Sequence, residues 1–107
     1  MRGLKNVKVY VEGQGVIETS IGFENGRIAA IGSDLEVEEL VKLPADAVVV
    51  PGFIDQHIHG AAKSDAMDGS VEDIANIANA IAKEGTTAFL ATTMTQSPKN
   101  INTALET

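Results

Sequence analysis

The chain contains no cysteine. Disulfide bonds are therefore excluded, and so are thiolate ligands, which leaves histidine, aspartate and glutamate to hold any metal ion. Long apolar runs are absent as well: no stretch approaches the roughly 20 consecutive apolar residues that a membrane helix needs. Met1-Arg2-Gly3-Leu4-Lys5-Asn6 is not followed by the apolar segment of a secretory signal, so a cytoplasmic location is expected. Positive charge is scarce. Eight Lys and Arg against 15 Asp and Glu give a formal net charge of -7, which argues against nucleic acid or an anionic membrane as partner, because both reward a basic surface. A small anionic substrate stays compatible with that balance. No phosphate-binding glycine motif of the dinucleotide or P-loop type occurs. What remains, 107 residues with 44% hydrophobic and 21% charged content, has the size and make-up of one modest globular domain.

The first third of the chain is patterned for strands. Val7, Val9 and Val11 alternate with Lys8, Tyr10 and Glu12, the period of a half-buried strand. Gly13-Gln14-Gly15 breaks that pattern, and Val16 to Glu24 reads as a second strand. Asn25-Gly26 then precedes the apolar run Arg27 to Ile31, a strong hairpin signal. Ser33 to Lys42 is expected to form a short helix with Ser33 or Asp34 as N-cap. Its Asp34, Glu36, Glu38 and Glu39 read as a solvated helical face rather than a cation site. Leu43-Pro44-Ala45-Asp46 is a connector. No catalytic role is suggested in this part, which looks like a small β-domain scaffold.

Residues 53 to 107 are patterned differently. Val71, Ile74, Ala75, Ala78, Ile81 and Ala82 fall at steps of three and four, the stripe of an amphipathic helix. Ser70 with Asp73 is a weak capping-box match, and Gly85 is placed to end the helix. Thr86 to Thr93 reads as a buried strand. Ser97-Pro98 opens a second helix, with Ile101, Ala104 and Leu105 on its apolar side. The order strand, helix, strand, helix spells two consecutive βα units, so the fold class is α/β. Pro51-Gly52 interrupts the apolar run that starts at Ala47, which places a domain boundary near residue 50: 1–50 in one domain, 51–107 in the next.

Both histidines of the chain, His57 and His59, stand at the end of that run. If Val48 to His59 is a strand, Asp55, His57 and His59 share one face while Ile54 and Ile58 share the other. That pattern suits an inner strand of a parallel α/β barrel, whose C-terminal end carries the chemistry. An H-x-H pair on its own also fits a solvated loop before Gly60. Two neutral imidazoles on one face can fill two adjacent coordination positions of zinc, iron or a related ion. A metal needs further ligands. Asp55 is the nearest candidate, though a structural role, bonding a neighbouring backbone or orienting a histidine, is favoured for it. With both histidines committed to one strand, no serine-histidine-aspartate set competes.

The run Pro51-Gly52-Phe53-Ile54-Asp55-Gln56-His57-Ile58-His59-Gly60 resembles the P-G-x-I-D-x-H-x-H-G signature of the amidohydrolase superfamily. Asp65-Ala66-Met67-Asp68 and Glu84 to Gln96 (Glu-Gly-Thr-Thr-Ala-Phe-Leu-Ala-Thr-Thr-Met-Thr-Gln) narrow the resemblance. Together they are similar to the N-terminal part of the N-acetylglucosamine-6-phosphate deacetylase family, over nearly the whole chain. The resemblance implies a (β/α)8 amidohydrolase barrel, of which two βα units are here, preceded by part of a small β-sandwich domain. It further implies metal-dependent removal of acetate from a sugar phosphate, and a homodimer or other homo-oligomer. By the same resemblance His57 and His59 are metal ligands to a divalent ion, zinc or iron. The other ligands, a glutamate and two histidines, and the aspartate that serves as general acid and base lie beyond residue 107. Lys63 departs from the family, which commonly has glycine there; where that position has positive φ, lysine is strained.

A complete barrel of this type takes about 250 residues, so the chain reads as a fragment that is inactive alone, with apolar surface that favours self-association. Two other readings compete. One is a cyclic-amide hydrolase of the same superfamily, disfavoured by the Asp65 to Asp68 and Thr92 to Gln96 stretches. The other is a non-catalytic oligomeric binding module, which a reading frame continuing past Thr107 with later histidines and a catalytic aspartate would oppose.

Overall fold

A computed structural model describes residues Met1 to Thr107. They divide into two compact units, Met1–Pro51 and Gly52–Thr107.

The first unit is a five-stranded sheet. Strands β1 (Arg2–Val11), β2 (Gly15–Glu24) and β3 (Arg27–Ile31) form an antiparallel meander. The Asn25-Gly26 turn between β2 and β3 has positive φ at both residues, 52° and 72°, which a two-residue turn matching the right-handed twist of its strands requires and which asparagine and glycine tolerate best. Along the other edge of β1 lie two short parallel strands, β4 (Glu39–Leu40) and β5 (Val48–Val49).

Strand β1 does not alternate throughout. Between Leu4, opposite Ile21, and Val7, opposite Thr19, it advances one residue more than its partner. Asn6 takes φ 53° at this bulge, and its N–H donates to the hydroxyl of fully buried Ser20 at 3.1 Å. The extra residue switches the phase of the strand. Leu4 thereby joins Val9 and Ile21 in the buried core, with Val7, Val11, Phe23, Val41 and Val49 packed around it.

The short helix expected over Ser33 to Lys42 does not form. Ser33 and Asp34 make a turn and the chain then runs extended, with Leu35 and Val37 half-buried and Glu36 and Glu38 exposed. The apolar residues here alternate, and the free edge of β1 needs partners for its backbone groups: Val41 N–H donates to the Gly3 carbonyl at 2.8 Å. Pairing along that edge outweighs a weak helical preference. The acidic residues are exposed, as expected of a charge run, but Asp34 lies in the turn and Glu36, Glu38 and Glu39 on the chain that follows it.

In the second unit, β6 (Phe53–Ile58) and β9 (Thr86–Ala91) run parallel, linked through helix α1 (Val71–Ala82). Helix α2 (Pro98–Leu105) follows β9. Val48 to His59 is thus two strands in separate sheets, parted at Val50-Pro51-Gly52. Helix α1 buries Ile77 (1% exposed) and Ile81. Its N-cap is Ser70, whose hydroxyl accepts from Asp73 N–H at 3.1 Å. Helix α2 starts as the sequence predicts, with Ser97 capping and Pro98 in the first turn.

Between β6 and α1 lies a small hairpin of β7 (Gly60–Ala61) and β8 (Ser64–Asp65), followed by a 3-10 turn at Ala66–Asp68. Asp65 and Asp68 form a reciprocal capping box on that turn. The Asp-Ala-Met-Asp stretch therefore has a structural reason: its two carboxylates satisfy Met67 and Asp65 N–H at 2.8 Å each. The hairpin turn is Ala62-Lys63, with φ 51° and 66°, a conformation disfavoured for residues with a Cβ. Exposed Lys63 is thus in the left-handed region. Replacing Ala62-Lys63 by Asn-Gly is expected to stabilise the second unit by about 1 kcal/mol, read as a raised urea midpoint with unchanged slope.

Apolar side chains remain uncovered in this unit. Phe53, Ile54, Leu90, Leu105 and Val71 are all more than 60% exposed, and β6 and β9 each leave one edge unpaired. Such surface favours association. Light scattering is expected to show mass rising with concentration; a monomer throughout the range would contradict this.

Candidate metal centre

The C-terminal ends of β6 and β9 come together because the strands are parallel, and the two histidines lie at that end. From Asp55, opposite Phe89, to Ile58, opposite Ala91, β6 advances three residues while β9 advances two. The irregularity falls at Gln56-His57. Strict alternation from Asp55 to His59 is therefore interrupted, a common way for a strand to re-aim a side chain. Asp55 Oδ1 accepts from the His57 backbone N–H at 3.1 Å, holding the irregular segment.

His57 and His59 nonetheless converge. Their Nε2 atoms are 3.3 Å apart, and the rings meet edge to face with centroids 4.9 Å apart. His59 Nδ1 lies 2.9 Å from the Thr92 carbonyl oxygen. A carbonyl only accepts, so Nδ1 carries the proton and Nε2 presents its lone pair. Histidines that ligate a metal commonly donate their other ring N–H to a carbonyl in this way. Thr92 is itself fixed, its N–H donating to the Ile58 carbonyl at 2.8 Å.

The spacing fits one ion. Two nitrogens each about 2.0–2.1 Å from a tetrahedral cation stand about 3.3 Å apart. The donor set is also right for zinc or iron: two imidazoles, no thiolate. It is incomplete, since no group of three or more His, Asp or Glu side chains is placed to hold a metal. Asp55 is engaged by backbone, and exposed His57 leaves the site open on one side. Of the three residues that alternation puts on one face, two meet.

A second polar cluster joins the β7–β8 hairpin to helix α1. Ser64, buried at 7% exposure, donates its hydroxyl to Asp73 Oδ1 at 2.8 Å and accepts from Asn76 Nδ2 at 3.2 Å. Ser70 Oγ donates to the other carboxylate oxygen. The bond from Ser70, then that from Ser64, holds the Asp73 carboxyl below its ordinary value. The sign follows. A carboxyl depressed in the folded state contributes stability that is present above the unfolded value of about 3.9 and is lost as pH falls through the folded one. Unfolding of α1 below about pH 4 is therefore expected to be less acid-dependent in Asp73→Asn than in the unaltered chain; equal acid sensitivity in helix ellipticity would contradict this. The Ser70–Asp73 spacing flagged half of this cluster. Ser64 carried no signal, because only the hairpin brings it to the helix.

No family model matches the chain. Among curated proteins it is 35% identical over 105 residues to the N-acetylglucosamine-6-phosphate deacetylase of Bacillus subtilis (strain 168), covering 95% of this chain and 26% of that protein. With the enzyme of the same name from Lysinibacillus sphaericus it shares 42% over 81 residues, 75% of this chain and 21% of that one. An allantoinase of Enterococcus faecalis is 34% identical over 108 residues, 96% of this chain and 22% of that protein. The crystal structure of N-acetylglucosamine-6-phosphate deacetylase from Thermotoga maritima superposes with a TM-score of 0.76 at 25% identity, over 95% of this chain and 25% of that one. A mutant of the Mycobacterium smegmatis enzyme, in complex with N-acetyl-D-glucosamine-6-phosphate, shares the fold at TM-score 0.75 and 22% identity, over 97% of this chain and 27% of that one. The chain spans about a quarter of the length of these relatives.

Proposed function

We propose, from a chain that is a relative of the N-acetylglucosamine-6-phosphate deacetylases of the amidohydrolase superfamily, that it supplies half of a divalent-metal clamp to a hydrolase that removes the acetyl group of N-acetylglucosamine 6-phosphate. The observation that carries the reading is the convergence of His57 and His59 Nε2 at 3.3 Å with His59 Nδ1 held by the Thr92 carbonyl.

In this reading Gly52–Thr107 is the start of a (β/α)8 barrel and Met1–Pro51 part of a small β-sandwich domain. β6 and β9 are its first two barrel strands, which supports a site at their C-terminal ends. His57 and His59 hold the ion, Asp55 fixes the His57 backbone, and Thr92 fixes the His59 tautomer. Such an ion supplies a water of lowered pKa and polarises a carbonyl. The chain's own part is narrower. It holds the two Nε2 atoms at 3.3 Å and keeps the proton of His59 on the nitrogen that faces Thr92.

The remaining ligands and a general acid/base aspartate lie outside these residues, so the chain alone is inactive. The whole protein is a cytoplasmic homodimer or other homo-oligomer. Exposed apolar residues on β6 and β9 support the need for further covering elements.

Similarity to the allantoinase of Enterococcus faecalis favours a cyclic-amide hydrolase as the second reading. A substrate panel on the longer protein separates them. Acetate release from N-acetylglucosamine 6-phosphate with no turnover of allantoin or dihydroorotate is expected; the reverse would sink the deacetylase reading. The 107-residue chain is expected to release none, and release near the longer protein's rate would contradict the missing-ligand account.

A further inference from the structure

His59 is gripped at three points. Its ring Nδ1 donates to Thr92, its carbonyl accepts from Ala66 N–H at 2.8 Å, and the next residue, Gly60, pairs with Asp65 across the β7–β8 hairpin. The Gly60 pairing belongs to the hairpin, and the Ala66 bond to the 3-10 turn that directly follows it. The hairpin strands lie so close that a Cβ on Gly60 would stand 2.2 Å from the Ser64 carbonyl oxygen.

The hairpin is not held by its own turn. Ala62 and Lys63 both sit at positive φ, where neither residue type is at ease. What ties it to α1 is Ser64, whose hydroxyl donates to Asp73 on the first turn and accepts from Asn76 on the next. The bond to Asp73 is surplus to helix capping, since Ser70 already caps Asp73 N–H and occupies the second carboxylate oxygen.

We propose that Ser64 and Asp73 are positioning residues for His59, fixing the hairpin to α1 so that the His59 ring stays on Thr92 with its Nε2 directed at His57. The proposal rests on reading the two histidines as a metal pair. Neither residue touches the ion; each acts through the hairpin and the His59 backbone.

The test uses the 107-residue chain and its Ser64→Ala, Asp73→Ala, Asp73→Asn and Ser70→Ala variants. Zinc titration gives the affinity. Amide exchange at Ala66 and long-range proton–nitrogen spectra of the His59 ring are read without metal. Ser64→Ala and Asp73→Ala should raise the zinc Kd about 10–100-fold, speed exchange at Ala66 and blur the single His59 tautomer. Asp73→Asn, which keeps an acceptor for the Ser64 hydroxyl, should recover most of the affinity. Ser70→Ala should fray α1 yet leave Kd within about twofold, well short of the loss expected of a supporting group.

Wild-type Kd and ring spectra in Ser64→Ala and Asp73→Ala would overturn the proposal, as would an equal loss in Ser70→Ala, which would reduce the effect to helix stability. If the unaltered chain takes up no zinc, the metal-pair reading fails. The metal-free ring spectra and Ala66 exchange then decide the positioning claim by themselves, with unchanged values overturning it.

Discussion

Replacing His59 with alanine is expected to weaken zinc binding by the chain by about a hundredfold or more, close to 2.7 kcal/mol. His59 is the better-organised donor, because the Thr92 carbonyl fixes its tautomer while its Nε2 stands 3.3 Å from that of His57. Losing it leaves one imidazole, and one imidazole does not make a site. His57→Ala should cost a similar factor in affinity but leave the His59 ring on Thr92. Asp55→Asn should cost far less, since the amide oxygen can still accept the His57 backbone N–H. Calorimetric titration of the three variants gives this order directly. Wild-type affinity in His59→Ala would place the binding elsewhere.

Ile77→Ala is expected to unfold the second unit. Ile77 is its one large side chain that is fully buried, at 1% exposure, and truncating a buried isoleucine costs about 2–5 kcal/mol. A unit of about 56 residues has roughly 3–8 kcal/mol of stability in all. The loss is thus comparable with the whole. Loss of amide protection in α1 and β9, with protection in β1 and β2 retained, is the expected exchange pattern. Protection of α1 unchanged in Ile77→Ala would contradict the packing account.

Parts of this fold are legible in the sequence because a residue type does a local job. Asn25-Gly26 suits a turn with two positive φ angles, Ser97-Pro98 suits a helix start, and the Val71 to Ala82 stripe suits a helix with one buried face. That the two histidines meet is legible in part, since both stand at the end of one apolar run, two residues apart. Other features depend on distant contacts. The bulge at Asn6 that carries Leu4 into the core is stabilised by Ser20, fourteen residues on. Residues 33–42 carry enough helix formers to suggest a helix, yet they answer to the unpaired edge of β1. The Thr92 carbonyl is a backbone group and leaves no trace in residue identity; only the parallel register of β6 and β9 puts it beside His59. The irregularity at Gln56-His57 likewise belongs to the pairing rather than to either strand alone.

The central claim is that His57 and His59 present their Nε2 atoms to one cation. Long-range proton–nitrogen NMR of the two rings during zinc addition tests it most directly. Both Nε2 resonances are expected to move together at one stoichiometric equivalent while the His59 Nδ1 proton stays hydrogen-bonded to Thr92. Movement of only one ring, or loss of the Nδ1 proton on zinc addition, would contradict it.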